Sequence, residues 1–138
     1  MGERKSAGFV ELAHTADVEM QVWGPDLPQL LEQAALGMNS LAGFSLKPGR
    51  RQTHKLDLPI VDLETTLVSF LSELLYLAEV ENLGFDTFNI EIKGDILIAI
   101  FIGAPLELQR VHIKAVTYHN LEIKQVPEGF VVNVVFDV

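Results

Sequence analysis

Two aspartates stand beside expected strand ends, where a carboxylate can act as a metal ligand. Asp17 comes just before residues 18–24, whose apolar and polar side chains alternate as in a half-buried β-strand. Asp137 ends the last apolar run and is followed by Val138. Hard divalent cations take carboxylate and carbonyl oxygens as ligands. If the first and last strands are neighbours, Asp17, Asp137 and the terminal carboxylate of Val138 could bind one ion. The alternative is that both aspartates are capping or solvated charges.

The histidines are a second set of candidate ligands or bases: His14, His54, His112 and His119. A single histidine is more often a hydrogen-bonded structural residue than a ligand. His14 and His119 each lie beside an expected turn, where functional side chains collect, whereas His54 lies on a charged strand. There is no cysteine, no glycine-rich phosphate loop, and no HExxH or EF-hand sequence. No motif of covalent catalysis is therefore visible.

The acidic composition limits the class of partner. The chain has 138 residues, with 19 acidic and 10 basic side chains and a formal net charge of −9. Its only basic cluster, residues 47–55, is too small to predict strong direct binding to nucleic acid. A cation or a basic protein suits this charge better. The sequence has no run of about 18 apolar residues and no secretory signal, so we expect a cytoplasmic protein without a membrane segment.

Two segments with helical spacing of apolar residues predict the helices. The first follows the N-cap Asp26 and ends near Gly43. The second follows Asp62, runs to about Asn82, is ended by Gly84 and has a broad apolar face. We expect this second helix to be the structural spine of the core.

The remaining apolar runs predict strands joined by tight turns, of which Gly94-Asp95 is the clearest. They cover residues 9–13, 18–24, 51–58, 85–93, 96–103, 112–119, 120–126 and 130–137, and residues 104–112 read as irregular. We expect residues 1–8 to be a disordered tail and residues 9–138 to be a single domain. The predicted class is α+β: a largely antiparallel sheet of about seven or eight strands with two long helices packed on one face.

Four segments, taken in order, resemble the archease family. The first is His14-Thr15-Ala16-Asp17 ahead of the alternating strand, and the second is LVSFLSELLYLAEVENLGF in the second helix. The third is KAVTYH at residues 114–119, and the fourth is the closing Asp137-Val138. They span nearly the whole chain, whereas the first eight residues have no counterpart in the family. The resemblance implies an archease-like fold.

The resemblance also implies a function. Archeases are small protein cofactors of the GTP-dependent RNA ligase of the RtcB type. That ligase joins a 2′,3′-cyclic phosphate or 3′-phosphate end to a 5′-hydroxyl in tRNA splicing and RNA repair. Archeases accelerate guanylylation of the ligase and allow multiple turnover without being enzymes themselves. The expected partner of this chain is therefore such a ligase.

Site residues follow from the same motifs. The family binds a divalent cation, calcium-like, through acidic residues, which here are Asp17 and Asp137, with main-chain oxygen such as that of Val138 nearby. The segment between Pro105 and Lys114 is shorter than in the family, and Arg110 is its candidate for touching the ligase active site. The other motif residues, expected to be structural or to contact the partner, are His14, Lys114, Tyr118 and His119.

Two further functions stay open from the residues. A general chaperone or modulator of RNA-processing proteins would suit the acidic charge and the lack of catalytic motifs. A metal-dependent hydrolase could act through Asp17, Asp137 and a histidine, but it would need a general base within reach of a bound water. No nucleophile or second ligand set is visible for that reaction.

Overall fold

The computed structural model describes residues 4–12 and 17–138, and within these ranges it contains two helices and nine strands. The helices are α1 (Leu27–Ala42) and α2 (Leu63–Glu81). The strands are β1 (Gly8–Leu12), β2 (Val18–Gly24), β3 (Ser45–Leu46), β4 (Gln52–Pro59), β5 (Leu83–Lys93), β6 (Ile96–Leu108), β7 (Ala115–Val116), β8 (Lys124–Val126) and β9 (Gly129–Asp137). Every strand pair in these ranges is antiparallel. The predicted α+β class is confirmed.

The strands divide into two sheets. Over the described residues, the first has the order β1-β2-β9-β7, with β8 also paired to β9. The second is built around β6, which pairs with β3, β4 and β5. Helix α1 lies against β1, β2 and β5, and α2 lies against β4, β5 and β7, so both helices connect the two sheets. The sequence predicted one sheet because tight turns define only the strands they join, not which distant strands pair.

Both helices begin and end at their capping residues. The side chains of Asp26 and Asp62 accept hydrogen bonds from the backbone N–H three residues ahead, at 2.9 and 2.8 Å. Helix α1 ends before Gly43 and α2 before Asn82, which have left-handed φ angles of 65° and 55°. Both helices end where the sequence predicted, but Asn82 and not Gly84 ends α2, since Gly84 pairs with Ala104 within β5. Among the described residues, no helix combines the length and apolar character needed to span a membrane.

Aromatic contacts pack α2 onto the second sheet. The ring of Phe70 meets Phe88 and Phe101 edge-on, with centroid distances of 6.2 and 5.7 Å. Phe85 lies 5.5 Å from Phe101 in the same geometry, which aromatic pairs favour. The core continues to the first sheet through other fully buried side chains, among them Met20, Leu30, Leu31, Met38, Leu67, Leu71 and Phe136.

Strand β6 extends to Leu108 instead of ending at residue 103. The prediction that residues 104–112 are irregular was therefore wrong for its first part. Pro105 suggested that the strand ends there, because proline has no backbone N–H to donate. Its carbonyl nevertheless accepts a hydrogen bond from the backbone N–H of Lys47 at 2.8 Å. The N–H of Leu106 donates to Asn82 at 2.8 Å. Contacts from distant segments thus complete the strand where local propensity is poor.

An ion pair holds the bulge of β5. Asp86 is the extra residue of the bulge, since its two chain neighbours pair with consecutive residues of β6. Both carboxylate oxygens of Asp86 accept hydrogen bonds from the guanidinium of Arg51. These bonds lower the pKa of Asp86 below its ordinary value and raise the pKa of Arg51. One member of the basic cluster at residues 47–55 thus has a structural role.

The first described residues contact the outer face of the first sheet. The Arg4 guanidinium lies 3.9 Å from the ring centroid of Trp23. The indole N–H of Trp23 donates to the carbonyl of Lys5 at 2.7 Å. The disordered tail expected at residues 1–8 stays a prediction, and residues 1–3 lie outside the described ranges.

We predict that Gly103→Ala severely destabilises the fold. A Cβ at this position would lie 1.8 Å from the carbonyl oxygen of Gly84 and 2.7 Å from the Cα of Phe85. These backbone atoms belong to the paired strand β5 and cannot retreat without breaking the pairing. The free energy of unfolding, measured with urea, should fall by about 3 kcal/mol or more. Gly94→Asn is the control, because a Cβ there meets nothing within 4 Å and asparagine tolerates its φ of 62°. Equal stability of the two variants would contradict the close packing.

We predict that Asp86→Asn lowers the melting temperature at neutral pH and has no effect in strongly acidic solution. A carboxylate whose pKa is lower in the folded chain adds stability above its unfolded pKa. That stability is lost as the pH falls through the folded pKa. Thermal unfolding followed by circular dichroism across a pH series measures the difference, and Asp95→Asn corrects for the loss of one charge. A difference from wild type that persists unchanged into strong acid would exclude this ion pair as its cause.

Candidate metal and partner-binding site

The start of β2 lies beside the end of β9. Antiparallel pairs join the two strands along their length, and the last of them is Val18 with Phe136. Asp17 directly precedes this pair and Asp137 directly follows it, so both residues lie at the same end of the β2-β9 pairing. Both aspartates are exposed. The strand that follows Asp17, β2, and not the first strand β1, is therefore the neighbour of the last strand, β9.

Strand β7 brings Lys114 to the same end of the sheet. Ala115 pairs with Asp137, and the N–H of Lys114 donates to the carbonyl of Asp137 at 2.7 Å. Because the strand order is β2-β9-β7, Asp17, Asp137 and Lys114 come from three adjacent strand ends. Two acidic residues and one lysine, all exposed, thus belong to the same end of this sheet.

Arg110 lies at the end of α1. Its N–H donates to the carbonyl of Ala42 at 2.9 Å, and its side-chain stem passes close to Gly43. Helix α1 runs opposite to β2, since its first turn contacts Gly24 and its later turns contact Met20. The end of α1 therefore points toward the start of β2. Arg110 belongs to the same end of the molecule as the two aspartates.

Residues 117–120 form a turn that displays Tyr118 and His119. The hydroxyl and the N–H of Thr117 both donate to the carbonyl of Val135, at 2.9 and 3.0 Å. The same hydroxyl accepts from the N–H of His119 at 3.3 Å. Nε2 of His119 lies 3.3 Å from the side-chain amide of Asn120. Thr117 thus fixes the turn to β9, while Tyr118 and His119 face solvent.

The described residues fit a hard cation in ligand type but provide few side-chain ligands. No group of three or more histidine or acidic side chains suited to a metal occurs within residues 4–12 and 17–138. Two carboxylates and main-chain oxygens are of the kind that calcium takes, because calcium accepts carbonyl as well as carboxylate oxygen. His14 lies outside the described residues.

A contact between α2 and the segment before β7 was not predicted from the sequence. Nε2 of His112 lies 2.9 Å from a carboxylate oxygen of Glu79. Farther along, a carboxylate oxygen of Glu64 accepts from the N–H of Ile123 at 2.8 Å. The segment 112–123 therefore runs antiparallel along α2 and leaves a groove of about 400 Å³ between them. In the sequence, Tyr76 and Val80 are separated by one helical turn. The structure shows that both are exposed beside this groove.

Comparison with known proteins identifies the family. The sequence profile described as "Archease protein family (MTH1598/TM1083)" matches residues 9–138. The chain belongs to the archease family. The protein archease of Methanosarcina barkeri is 36% identical, over 92% of this chain and 93% of that protein. The protein archease of Pyrococcus abyssi is 30% identical, over 84% of this chain and 87% of that protein.

Solved structures share the archease fold. Protein 1598 of Methanobacterium thermoautotrophicum superposes with a TM-score of 0.69 at 25% identity, covering 95% of this chain and 99% of that one. A Thermotoga maritima protein described as "an archease, possible chaperone" gives a TM-score of 0.70 at 22% identity, covering 100% and 99%. The second likeness supports the fold alone.

We predict that Thr117→Val loosens residues 114–119 (KAVTYH) without unfolding the domain. Valine keeps the shape of threonine but removes the hydroxyl that bonds to Val135 and His119. The free energy of unfolding should fall by about 1 kcal/mol, the usual net value of a hydrogen bond. Amide hydrogen exchange at His119 should become faster. The matched control is Thr53→Val on β4, which is exposed and should leave that amide unchanged. Unchanged exchange at His119 in both variants would show that the hydroxyl does not hold the turn.

Proposed function

We propose that this protein activates a GTP-dependent RNA ligase of the RtcB type in tRNA splicing and RNA repair. It promotes guanylylation of the ligase and repeated turnover, and the joining reaction belongs to the ligase. Family membership supports the proposal. The observation that carries it is the pairing of β2 with β9, because motif residues from opposite ends of the chain, Asp17 and Asp137, then share one exposed region.

The same region is our proposed site for a divalent cation of the calcium type. The carboxylates of Asp17 and Asp137 would hold it, together with an oxygen of Val138. Two neighbouring carboxylates repel each other, and a cation between them relieves this repulsion. Bound there, the ion would supply positive charge and open coordination positions at the surface that meets the ligase.

Electrostatics favour a protein partner for this surface over direct binding to RNA. The net charge of −9 opposes the phosphate backbone, whereas the basic cleft of an RNA ligase is complementary to it. Around the aspartates, the side chains offered to the ligase are Arg110, Lys114, Tyr118 and His119. Contacts made by such rim charges would act mainly on the rate of association. We place this partnership in the cytoplasm.

The test is a guanylylation assay with the RtcB-type ligase of the same organism and GTP. Wild-type protein at substoichiometric amounts should increase both guanylylated ligase and ligated RNA per ligase. Asp17→Ala and Asp137→Ala should each lose most of this stimulation. Calcium should raise the melting temperature of the wild type but not of these variants, because binding to the folded state stabilises it by about 2.7 kcal/mol at a hundredfold excess over Kd.

Asp95→Ala is the matched control for both measurements. It removes one exposed carboxylate from the turn between β5 and β6 and has the same net charge as the site variants. It should stimulate the ligase and respond to calcium as wild type does. Absence of stimulation by the wild type would reject the ligase function. A calcium response retained in both aspartate variants would reject the metal site.

A general chaperone is the second candidate function. Exposed apolar side chains, among them Tyr76, Val80 and Tyr118, favour it, because such groups can hold unfolded segments. Suppression of aggregation should then extend to unrelated client proteins. Activity restricted to one RNA ligase would exclude this reading.

A further inference from the structure

The outer face of the second sheet carries a row of isoleucines along its central strand. Strand β6 lies between β4 and β5, because its residues 96–103 pair with both neighbours. Side chains alternate between the two faces of a strand, and Phe101 faces α2, where its ring contacts Phe70. The side chains that alternate with Phe101 therefore point away from α2: Ile96, Ile98, Ile100 and Ile102.

The fold leaves this row of isoleucines uncovered. Within the described part of the chain, the four belong neither to the buried core nor to the side chains packed against it. Ile96 is 38% exposed, and the other three are partly exposed. Their neighbours on the inner face, such as Leu56 and Ile90, do pack against the core. Contiguous apolar surface with a polar border is typical of a protein contact, so this face has the character of an interaction surface.

The border of the face carries equal numbers of positive and negative side chains. Lys55 and Asp57 lie on the β4 side, with their charged atoms 4.0 Å apart. Glu91 and Lys93 lie on the β5 side, with their charged atoms 3.9 Å apart. The strand register places all four beside the isoleucines. The face is thus neutral in a chain whose net charge is −9. This neutrality favours a second copy of the chain as the partner, because two copies that met through acidic surface would repel each other.

The order of charges along β4 also complements itself under twofold symmetry. We consider two copies stacked face to face by a twofold axis that crosses the strands at the level of Ala99. Ile98 of one copy then lies over Ile100 of the other, and Lys55 lies over Asp57, and each contact occurs twice. Sheets that pack face to face lie about 10 Å apart, and side chains from both inner faces fill that space. The isoleucines of the two copies would form a shared core with ion pairs at its border.

We propose that the outer face of the second sheet, formed by the four isoleucines and their charged border, joins two copies of this chain in a symmetric dimer. The inference goes beyond the proposed function and does not rest on it. Eight residues on each of three strands cover about 370 Å² per copy, from the ordinary spacings within a sheet. This area is about half of what each partner contributes to a stable complex. The dimer therefore forms at high protein concentration and exchanges with the monomer.

The first test is sedimentation equilibrium at concentrations from about 10 μM to about 1 mM, the range in which weak complexes form. The wild type should shift from monomer to dimer as its concentration rises. The double variant Ile98→Thr with Ile100→Thr should stay monomeric, because threonine suits a strand but removes apolar surface from the face. Its melting temperature in dilute solution should stay near that of the wild type, since both side chains point away from the core. A wild type that is monomeric at the highest concentration would overturn the dimer.

The second test reverses charges on β4 and leaves the isoleucines intact. Lys55→Asp and Asp57→Lys should each raise the dimer dissociation constant at least about tenfold, because each variant places like charges opposite each other twice. An equal mixture of the two variants should recover dimers at the wild-type level, since the negative border of one copy then meets the positive border of the other. Lys93→Glu is the matched control. It changes the net charge by the same amount as Lys55→Asp, but in the proposed symmetry it lies over Thr87, so it should dimerise as the wild type does.

The remaining outcomes decide what covers the face. Recovery in the mixture, with wild-type behaviour of Lys93→Glu, supports the symmetric dimer. Wild-type dimers without recovery in the mixture would show that the copies meet through another surface, which would overturn the proposal. A monomeric wild type whose binding to the ligase is lost in the double isoleucine variant would assign the face to the ligase and would also overturn it. Stimulation of guanylylation by the wild type tests the proposed function separately from all of these results.

Discussion

The pairing of β2 with β9 is the contact on which the rest of the molecule depends. It joins residues near the start of the chain to residues near its end, so the chain pays a large loop-closure entropy before the first sheet can form. Apolar side chains on one face of both strands, Met20 and Val22 with Val132 and Val134, then bury against α1. The same pairing also brings Asp17 and Asp137 to one end of the sheet. Stability and the candidate site thus arise from one pairing.

Segment 112–123, which contains the sequence KAVTYH, links this sheet to α2. One side of the segment is held by β9, through Lys114 and Thr117. The other side contacts α2. His112 meets Glu79 near the C-terminus of the helix, and Ile123 donates to Glu64 near its N-terminus. An extended segment fixed along both sides loses little further freedom when a partner binds it. Its exposed side chains can therefore act as a preorganised contact surface next to the aspartates.

Much of the architecture was predictable from local signals, and the misses share one physical cause. The aspartate caps and the residues after each helix predicted the helix ends, because capping satisfies backbone groups within a few residues. The extension of β6 past Pro105 and the division into two sheets were not predictable in this way. They depend on backbone partners far away in sequence, such as Lys47 and Asn82. The bulge at Asp86 and the ion pair of Asp86 with Arg51 likewise depend on residues far away in sequence.

The sequence by itself determined the α+β class, the two capped helices, the acidic surface charge and the resemblance to the archease family. These properties follow from composition, short-range periodicity and motifs, which can be read without coordinates. Only the tertiary structure decided that Asp17, Asp137 and Lys114 lie at one end of one sheet, and that Tyr76 and Val80 border a groove along α2. Nearness between residues so distant along the chain depends on strand register and helix packing, and both are set by the simultaneous burial of apolar faces throughout the core.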